Sequence, residues 1–306
     1  MAYQSGSSTG TTDLLDKLNT FAIANGWILN RRDATSLSIS KGSVFQNLFE
    51  DGSSIRLSAS TGYSAGSVWN AQPGASGNEQ NCNLLVGSLT KYHFFLDQNY
   101  IHTVIEINPG LFQHFLFGEL EKSSAYTGGH YSLAEYEHAK SGADSTELFG
   151  STSQSDSLTS GSLSVSLDSL PSIWHSLMFK TNVKNRRVKI SCPFNGQYRY
   201  DSYLNSDRMT YGYNYMVLEL YLAQPNTFNS LALPIPLKFY IERNDYMYSP
   251  IGSMYDIGCI NMTHFTPSEE ITIGSDTWIV FPVRQKNLSD TDVYSGFRGI
   301  MYKKIV

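Results

Sequence analysis

Three side chains with metal-binding chemistry lie on one predicted β-hairpin. His102, Glu106 and His114 would share one face of two paired strands, across from and diagonal to one another. Imidazole and carboxylate groups placed in this way are typical zinc ligands. Their neighbours on that face would be Phe112 and Leu116, and histidines beside apolar side chains are mostly packed or hydrogen-bonded. We therefore interpret these histidines as structural residues and predict no metal site and no cofactor.

Two further patterns suggest hydrolysis. The segment Gly6-Ser7-Ser8-Thr9-Gly10 matches the GxSxG motif of a nucleophile elbow. That elbow requires a preceding strand, and we reject it because so few residues precede this motif. Glycoside hydrolysis needs two carboxylates about 5 to 10 Å apart across a cleft. The sequence offers three pairs of acidic neighbours, which we interpret as solvated surface: Glu119 with Glu121, Glu135 with Glu137, and Glu269 with Glu270. No phosphate loop, dinucleotide fingerprint or metalloprotease helix is present, so we predict no catalytic residues.

Tyrosine is concentrated in the second half of the chain. Five tyrosines lie among Asn, Asp, Arg, Ser and Gly, surroundings too polar for a core: Tyr198, Tyr200, Tyr203, Tyr211 and Tyr213. Tyrosine brings a large ring and a hydroxyl at low entropic cost, which suits surfaces that become buried on assembly. We predict that these tyrosines form a subunit interface. A receptor or sugar platform and incidental surface remain alternatives.

The elements that must position these residues are mostly strands. Alternating side chains predict a strand from Tyr100 to Ile107, a three-residue turn at Asn108-Pro109-Gly110, and a second strand from Leu111 to Phe117. The polar segment 61–81 predicts a long surface loop, and such loops commonly contact a partner.

One amphipathic helix is predicted near the N-terminus, from Asp13 to Asn25. Thr11 or Thr12 would cap it, and Asn25-Gly26 would end it. We expect its apolar stripe to pack on a sheet through Leu14, Leu18 and Phe21, with Trp27 beside it. The stripe consists of Leu14, Leu15, Leu18, Phe21 and Ala22.

The predicted fold class is mainly β, with two β-sandwich-like or β-barrel-like domains and the N-terminal amphipathic helix. A flexible arm spans 1–12, a helix-plus-β domain 13–140, a Ser/Gly-rich linker 141–162, and a Tyr-rich β domain 163–306.

Composition excludes several functional classes. Charged residues make up 16% of the 306 residues and the net charge is −5, which argues against a sequence-independent grip on nucleic acid. Three widely separated cysteines indicate neither a disulfide framework nor a CxxC metal site. The N-terminus lacks a secretion signal, and no window resembles a membrane span, so we expect no membrane insertion.

Three segments resemble a family of virion structural proteins of tailed bacteriophages. They are SSTGTTDLLDKLNTFAIANGW near the start, YHFF through FGEL and TGG in the middle, and INMTHFTPSEEITIGSDTWIVFP near the end. The likeness does not extend to residues 140–215. The resemblance implies a non-enzymatic tail or neck component, present in several symmetric copies and assembled with neighbouring virion proteins in the host cytoplasm. A receptor- or carbohydrate-binding module and an envelope-degrading hydrolase are the alternatives.

Overall fold

A computed structural model defines the fold. It describes residues 2–75, 80–82, 85, 87–125, 128–134, 136–137, 146–147, 177–179, 188–191, 235–242, 248–262, 264–282 and 298–305. One helix, α1, spans Thr11–Ala24. The strands are β1 Ala2–Ser8, β2 Ile28–Arg32, β3 Ser36–Lys41, β4 Val44–Glu50, β5 Ile55–Ser60, β6 Gln80–Cys82, β7 Leu89–Leu96, β8 Tyr100–Asn108, β9 Leu111–Glu119, β10 Glu121–Lys122, β11 Gly128–Ala134, β12 Tyr136–Glu137, β13 Thr146–Glu147, β14 Leu177–Phe179, β15 Val188–Ser191, β16 Ile235–Glu242, β17 Tyr248–Asn261, β18 Glu269–Ile273, β19 Asp276–Pro282 and β20 Arg298–Lys304.

Three antiparallel sheets contain most of these strands. Sheet A has the order β1-β7-β8-β9-β11-β14, and sheet B has the order β2-β3-β4-β5-β6. Sheet C has the order β15-β16-β17-β20-β19-β18, and β10 pairs with β17 at its side. None of the three closes on itself among the described strands. The predicted mainly β class with one helix is thus confirmed in its sandwich-like form. No helix of the described chain is both long and apolar enough to cross a membrane.

Sheet A is covered on both faces. Successive side chains of its inner strands point to opposite faces, so Phe94 and Phe117 lie on one face while His93 and Leu116 lie on the other. The first face contributes to a core shared with α1 and sheet B. The second face meets sheet C, where Phe95 stacks on Tyr302 at 4.9 Å between ring centroids. Burial on both faces explains why β8 and β9 contain almost no exposed residue.

The predicted helix stripe is confirmed. Leu14, Leu18 and Phe21 are buried, and the ring of Phe21 lies 5.7 Å from that of Phe94 on sheet A. Trp27 packs edge-on against Phe117 at 5.7 Å, beside the helix as expected. Each large apolar side chain buried in this way stabilises the fold by about 1.5 to 3 kcal/mol.

The predicted helix cap was wrong. The N-cap is Gly10, which has no side chain to accept a hydrogen bond. Asp13, in the first turn, accepts the backbone N–H of Thr9, the residue before the cap, at 2.9 Å. The hydroxyls of Thr11 and Thr12 instead donate to the carboxylate of Glu50 at 2.6 and 2.9 Å, tying the helix start to β4.

The predicted flexible arm over 1–12 is also corrected. Residues 2–8 form β1, an edge strand paired with β7, and α1 begins at Thr11. Small polar residues concealed this strand, because it is held by backbone pairing and by few side chains. Gly6 allows β1 to lie close to the Tyr92 side chain of β7, since a Cβ there would lie 2.8 Å from the Tyr92 hydroxyl oxygen.

The central hairpin is confirmed with a tighter turn than predicted. Asn108 pairs with Leu111, so the loop has two residues, Pro109 and Gly110. Gly110 has a φ of 83°, a left-handed conformation that favours glycine. The register shifts between Glu106 and Asn108. The extra residue of the predicted loop is therefore accommodated as an irregularity in β8 and not in the turn.

Strands from both predicted domains contact each other. The linker 141–162 lies outside the described residues, apart from the short strand β13. On its two sides, β10 of the first half pairs with β17 of the second half through Glu121 and Ser253. Sheet C therefore packs directly on the hairpin of the first half.

Candidate functional site: a histidine and tyrosine cluster between two sheets

A group of buried histidine and tyrosine side chains lies where sheet A meets sheet C. Period-two alternation places its members from four neighbouring strands on one face of sheet A. Sheet C supplies the opposite wall. We call the group the inter-sheet cluster; it consists of His93, Tyr100, His102, His114, Tyr131, Asp256, Phe281 and Tyr302.

His114 joins the two sheets directly. Its Nε2 lies 3.0 Å from the carbonyl oxygen of Pro282, and its Nδ1 lies 2.7 Å from the hydroxyl of Tyr302. A carbonyl can only accept, so Nε2 carries the proton and Nδ1 accepts from the tyrosine. The imidazole is thus held in one tautomer by two bonds to sheet C.

His102 and Tyr100 form the second part of the cluster. Their rings stack at 4.2 Å, and His102 Nε2 lies 2.6 Å from the Tyr131 hydroxyl. Tyr100 donates to the Asp256 carboxylate at 2.8 Å. Asp256 has a φ of 53°, which aspartate tolerates better than most residues. His102 Nδ1 has no partner among the described residues.

His93 lies at the β1 end of the cluster. Its Nδ1 is 2.9 Å from the Tyr3 hydroxyl, and its ring packs edge-on against Phe281 at 4.7 Å. Its Nε2 is buried without a hydrogen-bond partner in the described part of the chain. β1, a strand that the sequence did not predict, therefore supplies the hydrogen-bond partner of this histidine.

Burial keeps His93 and His102 uncharged at neutral pH. It lowers the pKa of His102 to about 3 and that of His93 to about 3, with Lys91 and His114 adding smaller effects on His93. Burial, followed by the nearby Asp256, raises the pKa of Tyr100. Tyr131 likewise has a pKa well above its ordinary value through burial. A general base works best with a pKa near the operating pH, and neither of these histidines meets that condition.

The structure places His102, Glu106 and His114 on one face, as predicted, and gives each a separate role. Glu106 accepts the backbone N–H of Gly110 at 2.9 Å, in the turn. The described residues contain no group of three histidine, cysteine or acidic side chains suited to a metal ion. The interpretation of His102 and His114 as packed and hydrogen-bonded residues is confirmed.

The GxSxG motif needs a different explanation from the one the sequence suggested. A strand does precede Ser8 and a helix does follow it, so the stated ground for rejecting an elbow was wrong. Ser8 nevertheless ends β1 and donates to the Gly10 carbonyl at 2.7 Å and to Asp13 at 3.0 Å. Asp13 in turn pairs with Lys17, whose hydrogen bond is the largest cause lowering the Asp13 pKa to about 2. Ser8 therefore donates to a carboxylate that Thr9 and Lys17 also contact, and its hydroxyl helps to fix the start of α1.

The described acidic pairs do not face each other across a cleft. Glu119 pairs with Lys122 at 2.6 Å, and Glu121 accepts from Ser253 at 3.3 Å. Glu269 accepts from the Thr266 backbone at 2.7 Å, while Glu270 pairs with Lys304 at 2.8 Å. The side chains of Glu135 and Glu137 lie outside the described residues.

The five predicted interface tyrosines also lie outside the described residues: Tyr198, Tyr200, Tyr203, Tyr211 and Tyr213. Sequence reasoning missed Tyr131, Asp256 and Tyr302 as members of the inter-sheet cluster. No local pattern marks them, because their roles depend on strands far apart in the chain.

No protein-family model matches the chain, and no curated protein matches it.

Proposed function

We propose that this chain is a non-enzymatic structural component of a tailed-phage virion. Its place is the tail or neck, where it forms a symmetric homo-oligomer and contacts neighbouring virion proteins after assembly in the host cytoplasm. The resemblance of three sequence segments to such proteins motivates the proposal. The described fold is compatible with it, because stacked antiparallel sheets make a rigid subunit with open edges.

The observation that carries the non-enzymatic part is the state of the inter-sheet cluster. Both bonds of His114 go to sheet C, and His102 is hydrogen-bonded to Tyr131. All eight members except Asp256 are almost fully buried. These groups hold two sheets together in a buried hydrogen-bond network, which is a structural task.

A receptor- or carbohydrate-binding module is the second candidate, and the loop 61–75 favours it. Trp69 stacks on Phe49 at 5.2 Å, and the buried Gln72 bonds to Ser64, Ser67 and Val68 within the loop. The loop is therefore held in one shape while the Val68 side chain is 61% exposed. A surface loop held in one shape suits recognition of a partner.

Changing Tyr200, Tyr203 and Tyr213 together to serine separates the two candidates. In a phage lacking its own copy, complementation by the wild-type chain should restore particles that contain the protein by mass spectrometry. The triple variant should give few complete particles if the chain is structural. Complete particles that no longer adsorb to host cells would favour the receptor-binding candidate. Digestion of host envelope in a zymogram by the wild-type chain would instead favour the third alternative, a hydrolase.

A further inference from the structure

β1 is an uncharged edge strand whose outer side is open among the described residues. Of the described strands it pairs only with β7, and its sequence, AYQSGSS, contains no lysine, proline or acidic residue. Natural proteins usually protect an exposed edge with such residues, because its free N–H and C=O groups can pair with another strand. We propose that β1 is a self-association surface, where it pairs antiparallel with β1 of a second copy across a twofold axis.

The charges on the edge strands favour a second copy of this chain as the partner and β1 as the strand that pairs with it. Twofold pairing brings like residues of the same strand close together, and like charges in that position are destabilising. The edge strand β2 carries Arg31 and Arg32, and β18 carries Glu269 and Glu270. The edge strands β6 and β14 are three residues long, and β15 is four. β1 is seven residues long, so it offers the longest uncharged edge among those described.

The β1–β7 pairing defines the register of the proposed contact. The pairing is regular from Ala2 to Gly6 and shifts between Gly6 and Ser8. A twofold axis that uses all five regular residues passes through Gln4. Gln4 then lies opposite its own copy. Its Nε2 donates to the Tyr92 hydroxyl at 2.9 Å, which leaves its second N–H and its Oε1 to donate and accept across the axis. Tyr3 of each chain lies opposite Ser5 of the other, a pairing without charge.

Groups beside β1 are also compatible with a twofold contact. Lys304 lies over the Tyr3 ring at 5.3 Å and pairs with Glu270 at 2.8 Å. A second copy would therefore meet a neutralised ion pair next to the edge. This inference rests on the proposed function, since it names the surface through which the subunits begin to assemble.

Two matched substitutions in the full-length chain test the register. Ser5 and Ser7 are both exposed on β1, but only Ser5 lies within the regular run. Ser5→Lys places a cation opposite Tyr3 of the second copy, close to that copy's Lys304. In sedimentation-equilibrium experiments the wild-type chain and Ser7→Lys should have twice the mass of one chain, and Ser5→Lys should have the mass of a single chain. A monomeric wild-type chain, or the same mass for both variants, would overturn the proposal.

A cross-link keeps the proposal testable if Ser5→Lys does not fold. Directly opposed residues of antiparallel strands have Cα atoms about 4.5 to 5.5 Å apart, within the range of a disulfide. Gln4→Cys should therefore give a covalent dimer on mild oxidation, whereas Ser7→Cys and the wild-type chain should not. Equal cross-linking of Gln4→Cys and Ser7→Cys would overturn the register. The incorporation of the wild-type chain into particles is measured separately, so the proposed β1 contact can fail while the proposed function stands.

Discussion

Tyr302 and His114 are hydrogen-bonded at 2.7 Å although 188 positions separate them in the chain. Their rings also stack, 5.9 Å apart at an interplanar angle of 17°. This contact joins β20 of sheet C to β9 of sheet A. It makes the last described strand part of the same core as the central hairpin.

Removing the hydroxyl of Tyr302 should weaken this junction. Tyr302→Phe keeps the ring against Phe95 but leaves His114 Nδ1 buried without its donor, which costs about 1 to 3 kcal/mol. Urea denaturation should report this loss of unfolding free energy. Tyr63→Phe, in the loop 61–75, is the matched control and should change stability by less than about 0.5 kcal/mol. Equal stability of Tyr302→Phe and wild type would contradict a hydrogen bond that matters at this site.

Buried neutral histidines should make the fold sensitive to mild acid. An unfolded histidine has a pKa of about 6.5, and burial lowers the pKa of His93 and His102 to about 3. Between these values the unfolded chain binds more protons than the folded chain. Stability is therefore complete above about pH 6.5 and declines as pH falls, by up to about 1.4 kcal/mol per pH unit for each histidine.

A histidine variant measures that slope. His102→Gln cannot take up the proton, so the decline in unfolding free energy between about pH 6.5 and 4.5 should be shallower by up to about 1.4 kcal/mol per pH unit. The upper part of this window avoids Asp13 and Asp51, whose pKa values of about 2 affect stability at lower pH. His264→Gln, at an exposed position, should keep the wild-type slope. The idea fails if His102→Gln and His264→Gln give the same slope.

Local patterns in the sequence predicted some of this arrangement. Alternation from Tyr100 to Ile107 and the Pro109-Gly110 turn sufficed to place His102 and His114 on one face. They could not supply Tyr302 or Asp256, because those partners come from strands whose register depends on the packing of sheet C. β1 was missed because its polar residues carry no hydrophobic alternation, and only its pairing with β7 reveals it.

The stripe of α1 provides a test of the core shared with sheet B. Leu18 is fully buried, and Leu18→Ala should reduce the unfolding free energy by about 2 to 5 kcal/mol through lost contacts and a cavity. Ile23 lies on the same helix with 43% of its surface exposed, so Ile23→Ala should cost clearly less. Thermal and chemical denaturation of both variants would measure the difference. Similar losses would mean that α1 does not present this face to the sheet.

Gly118 provides the last prediction, because it lies in register with two tyrosines of the inter-sheet cluster. Tyr100 on β8 and Tyr131 on β11 both pair with it across neighbouring strands. A Cβ at Gly118 would lie 2.4 Å from the Asn99 carbonyl oxygen and 2.7 Å from the Tyr100 Cα. Backbone atoms cannot move aside as a flexible side chain can, so an alanine must shift β8 relative to β9.

Gly118→Ala should therefore cost about 1 to 3 kcal/mol or more and displace Tyr100 from Asp256. Gly66→Ala is the matched control, since nothing lies within 4 Å of its Cβ position. That variant should change the unfolding free energy by less than about 1 kcal/mol. Urea denaturation compares the two, and tyrosine fluorescence or near-UV circular dichroism reports the change around Tyr100. If Gly118→Ala were as stable as Gly66→Ala, the close approach of β8 and β9 at this glycine would be wrong. In that case the absence of a side chain at Gly118 would not be needed to join sheet A to sheet C.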